Sequence, residues 1–132
     1  MSDEVRLAVE KLSKAVQSLS EGVARAKDDL ERDGVIQRFE FMFELLWKAL
    51  KIYLKHEGVD VKTPREALKA AFRVGLIKDE DVCLDMLEDR NRLSHIYSRS
   101  ESEKIFGRVR ANYLDFLRTA LAALESKSLG GR

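Results

Sequence analysis

The sequence predicts an all-α protein, an antiparallel up-and-down bundle of four long helices and one short helix. Two observations support this prediction. Over a third of the residues are charged, and the chain has a single proline and seven glycines, most of them at the ends of segments. Apolar residues recur at three- and four-residue steps along most of the chain, which is the period of amphipathic helices. We expect residues 1–132 to form a single domain with a frayed tail at 127–132.

Composition narrows the possible functions. The formal net charge of +1 argues against strong non-specific binding of nucleic acid. Cys83 is the only cysteine and has no metal-spaced companion, so we expect a cytoplasmic protein without disulfides. No apolar run is long enough to span a bilayer. The two histidines lack the Glu-x-x-His pairs of di-metal bundles, and we therefore expect no metal and no cofactor.

The first two helices differ in character. An apolar seam predicts a first helix over residues 3–31, with Leu30 on its inner side, and Asp33–Gly34 is expected to end it. The second helix, over about 34–56, is apolar on most of its surface. We expect one side to meet the core and the other to form a dimer interface, which we assign to Phe39, Phe43 and Trp47. The alternative is a central helix wrapped entirely by its own chain.

The remaining elements are delimited by capping signals. Thr63, Pro64 and Glu66 start a short third helix that ends at Gly75, with Phe72 facing inward. The fourth helix should run from Asp79 to about Arg99. A capping box at residues 100–103 then starts a fifth helix that ends near Ser126. At the end of the second helix, His56 is expected to interact with the helix dipole.

The candidate functional residues cluster between positions 90 and 99. Arg90 falls on the inner face of the fourth helix, while Arg92, His95 and Arg99 form a basic stripe on another face. Asn91 lies four residues before His95, so the two side chains are neighbours. Arginines that hold a phosphate and a histidine that moves a proton suit a phosphodiester substrate. The structural alternative is a surface histidine among solvated or paired charges.

The spacing of Arg90 and His95 adds a constraint. Five residues on a regular helix place them about 140° apart, so one straight helix does not aim both at one phosphate. Either the helix distorts near Ser94, or the groups of two protomers converge at a dimer interface.

The motif Arg90–Asn91–x–x–x–His95–x–Tyr97 resembles the R-x4-H-x-Y signature of prokaryotic HEPN-domain proteins. Residues 33–48, DGVIQRFEFMFELLWK, are similar to the signature of one HEPN branch, the nucleotidyltransferase substrate-binding subunit family. The second match is the more specific, and the resemblance covers essentially the whole chain. It implies a dimeric helical bundle and a partner, a separate small nucleotidyltransferase that is usually encoded nearby.

The resemblance also implies an activity. Related HEPN proteins are toxins that cut RNA without metal, and in some the partner acts as antitoxin by transferring AMP to the motif tyrosine. Carried over, Arg90 stabilises phosphate charge, His95 moves the proton and Asn91 orients it. Arg92 and Arg99 are then candidates for binding the RNA backbone, and Tyr97 is the residue modified by the partner. The alternative is a non-catalytic subunit that binds a substrate or nucleotide for the partner, and a third possibility is a dimeric adaptor without a ligand.

Overall fold

The computed structural model describes residues 2–95 and 98–130, with side chains to Ser128, and every regular element in these ranges is helical. The elements, in chain order, are α1 (Asp3–Arg25), α2 (Asp29–His56), α3 (Pro64–Arg73), α4 (Glu80–His95), α5 (Arg99–Arg108), a π-helical segment (Val109–Tyr113) and α6 (Leu114–Gly130). The last three elements follow one another without a break. The chain is therefore a bundle of four long helical runs and the short α3, as the sequence predicts.

The central element is α2, which contacts α1, α3, α4 and α5, while α6 packs against α1. Its buried face carries two phenylalanines, Phe39 and Phe43, whose side chains have no exposed surface. Both were expected at a dimer interface, and that assignment is wrong because the protomer's own core covers them. Trp47 is half-buried, packs against the same core and donates from Nε1 to Glu44 at 3.2 Å.

The boundary between the first two helices lies earlier than the apolar seam predicts. The first helix ends at Arg25, and Ala26 is extended, with ψ of 120°. Asp28 caps α2, since its side chain accepts a hydrogen bond from the Glu31 N–H at 2.9 Å, and the Glu31 carboxylate accepts one from the Lys27 N–H at 2.7 Å. Leu30 is consequently 81% exposed instead of facing inward, and Asp33 and Gly34 lie inside α2 instead of between helices.

The predicted cap of α3 is confirmed, and that of α5 lies two residues earlier than predicted. Thr63 caps α3 with Pro64 in the first turn, and Gly75 follows the helix with φ of +86°, a conformation that favours glycine. Phe72, expected to face inward, is 40% exposed at the end of this short helix. The cap of α5 is Ser98, whose hydroxyl accepts from the Glu101 N–H at 3.1 Å, two residues before the expected capping box. The preceding α4 is described as far as His95, and it does not reach the expected Arg99, because Ser98 is extended and Arg99 already belongs to α5.

Candidate active site at the end of α4

An open surface cavity of about 550 Å³ lies beside the last turns of α4 and the first turn of α5. It is lined by Glu88, Asn91, Arg92, His95 and Glu101. Three of the residues that the sequence singles out, Asn91, Arg92 and His95, thus face the same space, and all three are exposed to solvent. The cavity can therefore present an amide, a guanidinium and an imidazole to one ligand.

The guanidinium of Arg92 is held at the cavity by acids of its own helix. Its Nη1 donates to Asp89 at 2.8 Å, one turn earlier, and its Nη2 lies 3.8 Å from Glu88. Half of the side chain remains exposed. Because the contact with Asp89 fixes one edge of the guanidinium, the remaining N–H groups are oriented before any anion arrives, which favours phosphate binding.

Asp89 is the buried centre of this arrangement, with 1% of its surface exposed. Its carboxylate accepts two hydrogen bonds from Arg108, at 2.8 Å from Nε and 2.7 Å from Nη2, and one from the Tyr113 hydroxyl at 2.5 Å. The hydrogen bonds to Asp89 raise the pKa of Arg108 above its usual value. Burial, followed by the hydrogen bond to Asp89, raises the pKa of Tyr113. This carboxylate therefore fastens α4 to the chain around the π-helical segment.

Sequence reasoning missed Asp89, Arg108 and Tyr113 as a group. A signal was present, because Asp89 lies three residues after the buried Met86 on the inner side of α4. An acid at a core position requires a cationic or hydrogen-bonding partner. The π-helical segment, which follows Arg108 and ends at Tyr113, determines which partners reach Asp89, and no residue pattern in the sequence predicts that segment.

Arg90 lies on another side of α4, facing α2. Its guanidinium forms an ion pair with Glu44 and lies over the ring of Phe43, 5.4 Å from the ring centre. Burial raises the pKa of the neighbouring Glu40, and the positive charge of Arg90 partly offsets this increase. The Nη1 of Arg90 donates to the Asn91 amide oxygen at 3.2 Å. Asn91 therefore connects Arg90 to the cavity that His95 lines.

The backbone of α4 keeps regular α-helical geometry through both Arg90 and His95. The range Glu80–His95 includes Ser94, whose hydroxyl lies 3.5 Å from the Arg90 carbonyl oxygen. The distortion considered for Ser94 is therefore absent between positions 90 and 95, and Arg90 and His95 remain about 140° apart. Tyr97, the residue proposed for modification, lies outside the described residues.

Arg99, expected to bind phosphate, is engaged within the protomer. Its two terminal nitrogens donate to the Asp33 carboxylate at 2.7 and 3.2 Å, and its Nε lies 3.9 Å from Asp29. These contacts tie the start of α5 to the first turns of α2. The second histidine, His56, lies in the last turn of α2, where its Nε2 is 2.9 Å from the Ser2 hydroxyl.

Residues 2–95 and 98–130 contain neither a metal-binding cluster of side chains nor a membrane-spanning helix. No three His, Cys, Asp or Glu side chains of that part of the chain cluster closely enough to hold a metal ion. No helix within it combines the length and hydropathy that are needed to cross a bilayer. The Cys83 thiol is buried, and burial raises its pKa to about 12.

Comparison with known protein families identifies the group to which the sequence belongs. The family described as "Nucleotidyltransferase substrate binding protein like" matches residues 3–126. The chain belongs to this family. The relationship inferred from the motif at residues 90–97 and the stretch at 33–48 is therefore confirmed, and it extends over almost the whole sequence.

Two individual proteins resemble this chain over most of its length. A Haemophilus influenzae protein named "Probable ribonuclease HepT" is 27% identical over 126 residues, which cover 83% of this chain and 85% of that protein. A crystal structure of a Thermus thermophilus protein has 34% sequence identity and a TM-score of 0.79, covering 86% of this chain and 98% of the other. The helical fold is therefore shared with an experimentally determined structure.

Proposed function

We propose that this protein is a metal-independent HEPN ribonuclease that acts with, and is controlled by, a small nucleotidyltransferase. The observation that carries the proposal is the shared cavity of Asn91, Arg92 and His95, which Asn91 links to Arg90. The family assignment and the name of the Haemophilus relative support it. In this reading the protein is the toxin of a toxin–antitoxin pair, and the nucleotidyltransferase is its antitoxin.

The proposed reaction is an attack of the ribose 2′-oxygen on the neighbouring phosphodiester of the RNA. His95 removes the proton from a ribose 2′-hydroxyl, the 2′-oxygen attacks the adjacent phosphorus, and the bond from phosphorus to the 5′-oxygen breaks as a water molecule protonates that oxygen. The imidazolium then returns its proton to the solvent. Arg92 of the cavity and Arg90 of the second protomer stabilise the negative charge that accumulates on the phosphate oxygens. The products are a 2′,3′-cyclic phosphate and a 5′-hydroxyl. Mass analysis of RNA fragments formed in the presence of EDTA tests this; linear 3′-hydroxyl and 5′-phosphate ends would contradict it.

A complete site in this proposal requires two protomers, because Arg90 and His95 face different sides of α4. We assign the contact to the surface on the Arg90 side of α2, where Leu30, Asp33 and Glu40 line a shallow cavity. Leu30 is the most exposed large apolar side chain of the described residues, at 81%. We propose that a second copy docks here in the orientation that places its own His95 near Arg90.

Light scattering is expected to give twice the 15.1 kDa chain mass at micromolar concentration. Leu30→Glu should shift the protein toward monomer, because it places a charge in the apolar contact. Val74→Glu, at another exposed apolar position, is the matched control and should remain dimeric. Mixing Arg90→Ala with His95→Ala should restore part of the activity, since mixed dimers contain one intact site. A monomeric wild-type protein would overturn the dimer.

Modification of Tyr97 by the partner is a further part of the proposal. Tyr97 lies two residues after His95, so an AMP group on its hydroxyl adds bulk and negative charge close to the catalytic histidine. Incubation with the nucleotidyltransferase and ATP should add the mass of AMP to the wild-type protein and not to Tyr97→Phe. Cleavage activity should fall in parallel. Equal modification of both proteins would remove this role from Tyr97.

One observation favours a second candidate function, a non-catalytic subunit that presents a substrate or nucleotide to the partner. The guanidinium of Arg90 is paired with Glu44, and that of Arg92 with Asp89, so a phosphate must compete with carboxylates for both. In that case the protein leaves RNA intact and lowers the partner's KM for its substrate. Kinetics of the nucleotidyltransferase with and without this protein distinguish the two candidates.

A further inference from the structure

A second cavity, of about 970 Å³, lies between α1 and α2, and its lining contains no residue of α4 or α5. We call it the α1–α2 groove. Its polar and aromatic lining consists of Lys11, Lys14 and Ser18 on α1 and Gln37, Arg38 and Phe41 on α2. Cavities of this size accommodate small-molecule ligands. The groove is therefore a possible ligand site that is separate from the candidate active site.

The cations of the α1–α2 groove are not neutralised by acids. Lys11 and Lys14 are exposed, and neither forms an ion pair with any residue of the described ranges. Of the acids on α1, Glu10 lies 3.5 Å from Arg6 and Glu21 accepts from the Gln17 amide. On a chain with a net charge of only +1, this is a local concentration of positive charge. Such a concentration attracts anions.

The third cation, Arg38, is fixed in place. Its Nη1 donates to the Ser18 carbonyl oxygen at 2.6 Å, which lays the side chain across α1. Gly22 leaves room for it, since a Cβ at that position would lie 3.1 Å from Nη1. One edge of the guanidinium is thus anchored to the backbone. Its other N–H groups have no hydrogen-bond partner in the described parts of the protein and are oriented for an anion.

An aromatic ring lies beside these cations. Phe41 follows Arg38 by three residues and therefore projects from a neighbouring position on α2, with 63% of its surface exposed. Gln37, four residues before Phe41, adds an amide that can donate and accept. An exposed phenyl ring offers a flat apolar face on which a planar ligand can stack. The groove thus combines a stacking surface, three cations and an amide.

We propose that the α1–α2 groove binds a nucleoside phosphate, either as a free nucleotide or as one unit of single-stranded RNA. The phosphate is held by Lys11, Lys14 and Arg38, and the base stacks on Phe41. A carboxylate-rich peptide can satisfy the cations but supplies no planar ring for Phe41. This combination of basic groove and aromatic platform is how single-stranded nucleic acid is bound without sequence preference. The inference does not depend on the ribonuclease activity, because it concerns binding alone.

The test is a titration of the ¹⁵N-labelled full-length protein followed by NMR. The probes are ATP, inorganic tripolyphosphate, octa-glutamate and a 2′-O-methyl uridine octamer, which a ribonuclease that needs the 2′-hydroxyl cannot cleave. ATP and the octamer are expected to shift the amide signals of Lys14, Arg38 and Phe41. Binding of ATP alone identifies a free nucleotide as the ligand, and tighter binding of the octamer identifies RNA. Shifts confined to residues 91–95 would overturn the proposal.

Variants separate the stacking and electrostatic contributions. Phe41→Ala should weaken the binding of ATP and of the octamer about tenfold, as expected for the loss of one stacked base. The control Phe72→Ala should leave the affinity for both ligands unchanged. The Lys11→Ala, Lys14→Ala double variant should make the dependence of log Kd on log salt for the octamer shallower by about 1.4. Its control is the exposed pair Lys78→Ala, Lys127→Ala. Tripolyphosphate or octa-glutamate binding as tightly as ATP, or no nucleotide binding at 1 mM, would refute the assignment.

Discussion

Replacement of His95 by alanine is expected to lower the rate of RNA cleavage by about 10²–10⁴-fold, the usual contribution of a general acid or base. The imidazole is the neutral-pH proton carrier among the side chains that line the α4 cavity. Without it, the bases left in the cavity are the carboxylates of Glu88 and Glu101, which are weaker bases than an imidazole. The rate is measured on a fluorogenic RNA substrate at saturating enzyme, so that weaker binding does not contribute.

The control for His95→Ala is His56→Ala. His56 is the other histidine of the chain and lies in the last turn of α2, where its contacts are Ser2 and Glu4. Its replacement should leave the cleavage rate within about twofold of wild type, since the loss of these two exposed contacts costs little free energy. Equal activity of His95→Ala and wild type would remove His95 from the mechanism and, with it, the proposed reaction.

Replacement of Asp89 by alanine is expected to destabilise the fold by about 2–4 kcal/mol, the cost of losing hydrogen bonds to a buried charged group and of leaving a buried hydroxyl unpaired. The substitution leaves Arg108 without the carboxylate that accepts its Nε and Nη2 hydrogen bonds, and the buried Tyr113 hydroxyl without an acceptor. Domains of this size are stable by only about 5–15 kcal/mol, so the loss is a large fraction of the total. Urea unfolding followed by circular dichroism measures it.

Two further variants make the Asp89 result specific. Asp85→Ala, four residues earlier on α4 and exposed to solvent, should change stability by less than about 0.5 kcal/mol. Tyr113→Phe removes only the hydroxyl and should cost about 1–2 kcal/mol, because Asp89 retains its arginine partners. If Asp89→Ala were as stable as Asp85→Ala, the buried carboxylate would not hold α4 to the π-helical segment.

The sequence predicts the number and order of the helical runs well, because apolar periodicity reflects the face that each helix buries. It fails at the junction of α1 and α2, where the apolar steps continue through Ala26 to Leu30 although the helix ends at Arg25. The capping pair Asp28 and Glu31 identifies the true start of α2, and this local hydrogen bonding overrides the hydrophobic period. Leu30 is then left on the solvent side.

The candidate site is predicted in part. The sequence groups Asn91, Arg92 and His95, and these residues line one cavity, because helix periodicity determines which residues of a helix are neighbours. The partners from other helices, Glu44 for Arg90 and Arg108 for Asp89, depend on how the helices pack and are not contained in that periodicity. The error over Phe39 and Phe43 has the same origin. An apolar helix predicts burial without indicating whether its own chain or another one supplies it.

The most direct test of the proposed function is incubation of the purified protein with RNA in EDTA, beside Arg90→Ala and His95→Ala at equal concentration. Circular dichroism and light scattering first establish that all three are folded dimers. We expect the wild-type protein to cleave the RNA and both variants to leave it intact. Intact RNA in every sample would contradict the ribonuclease and favour a subunit that binds substrate for its nucleotidyltransferase.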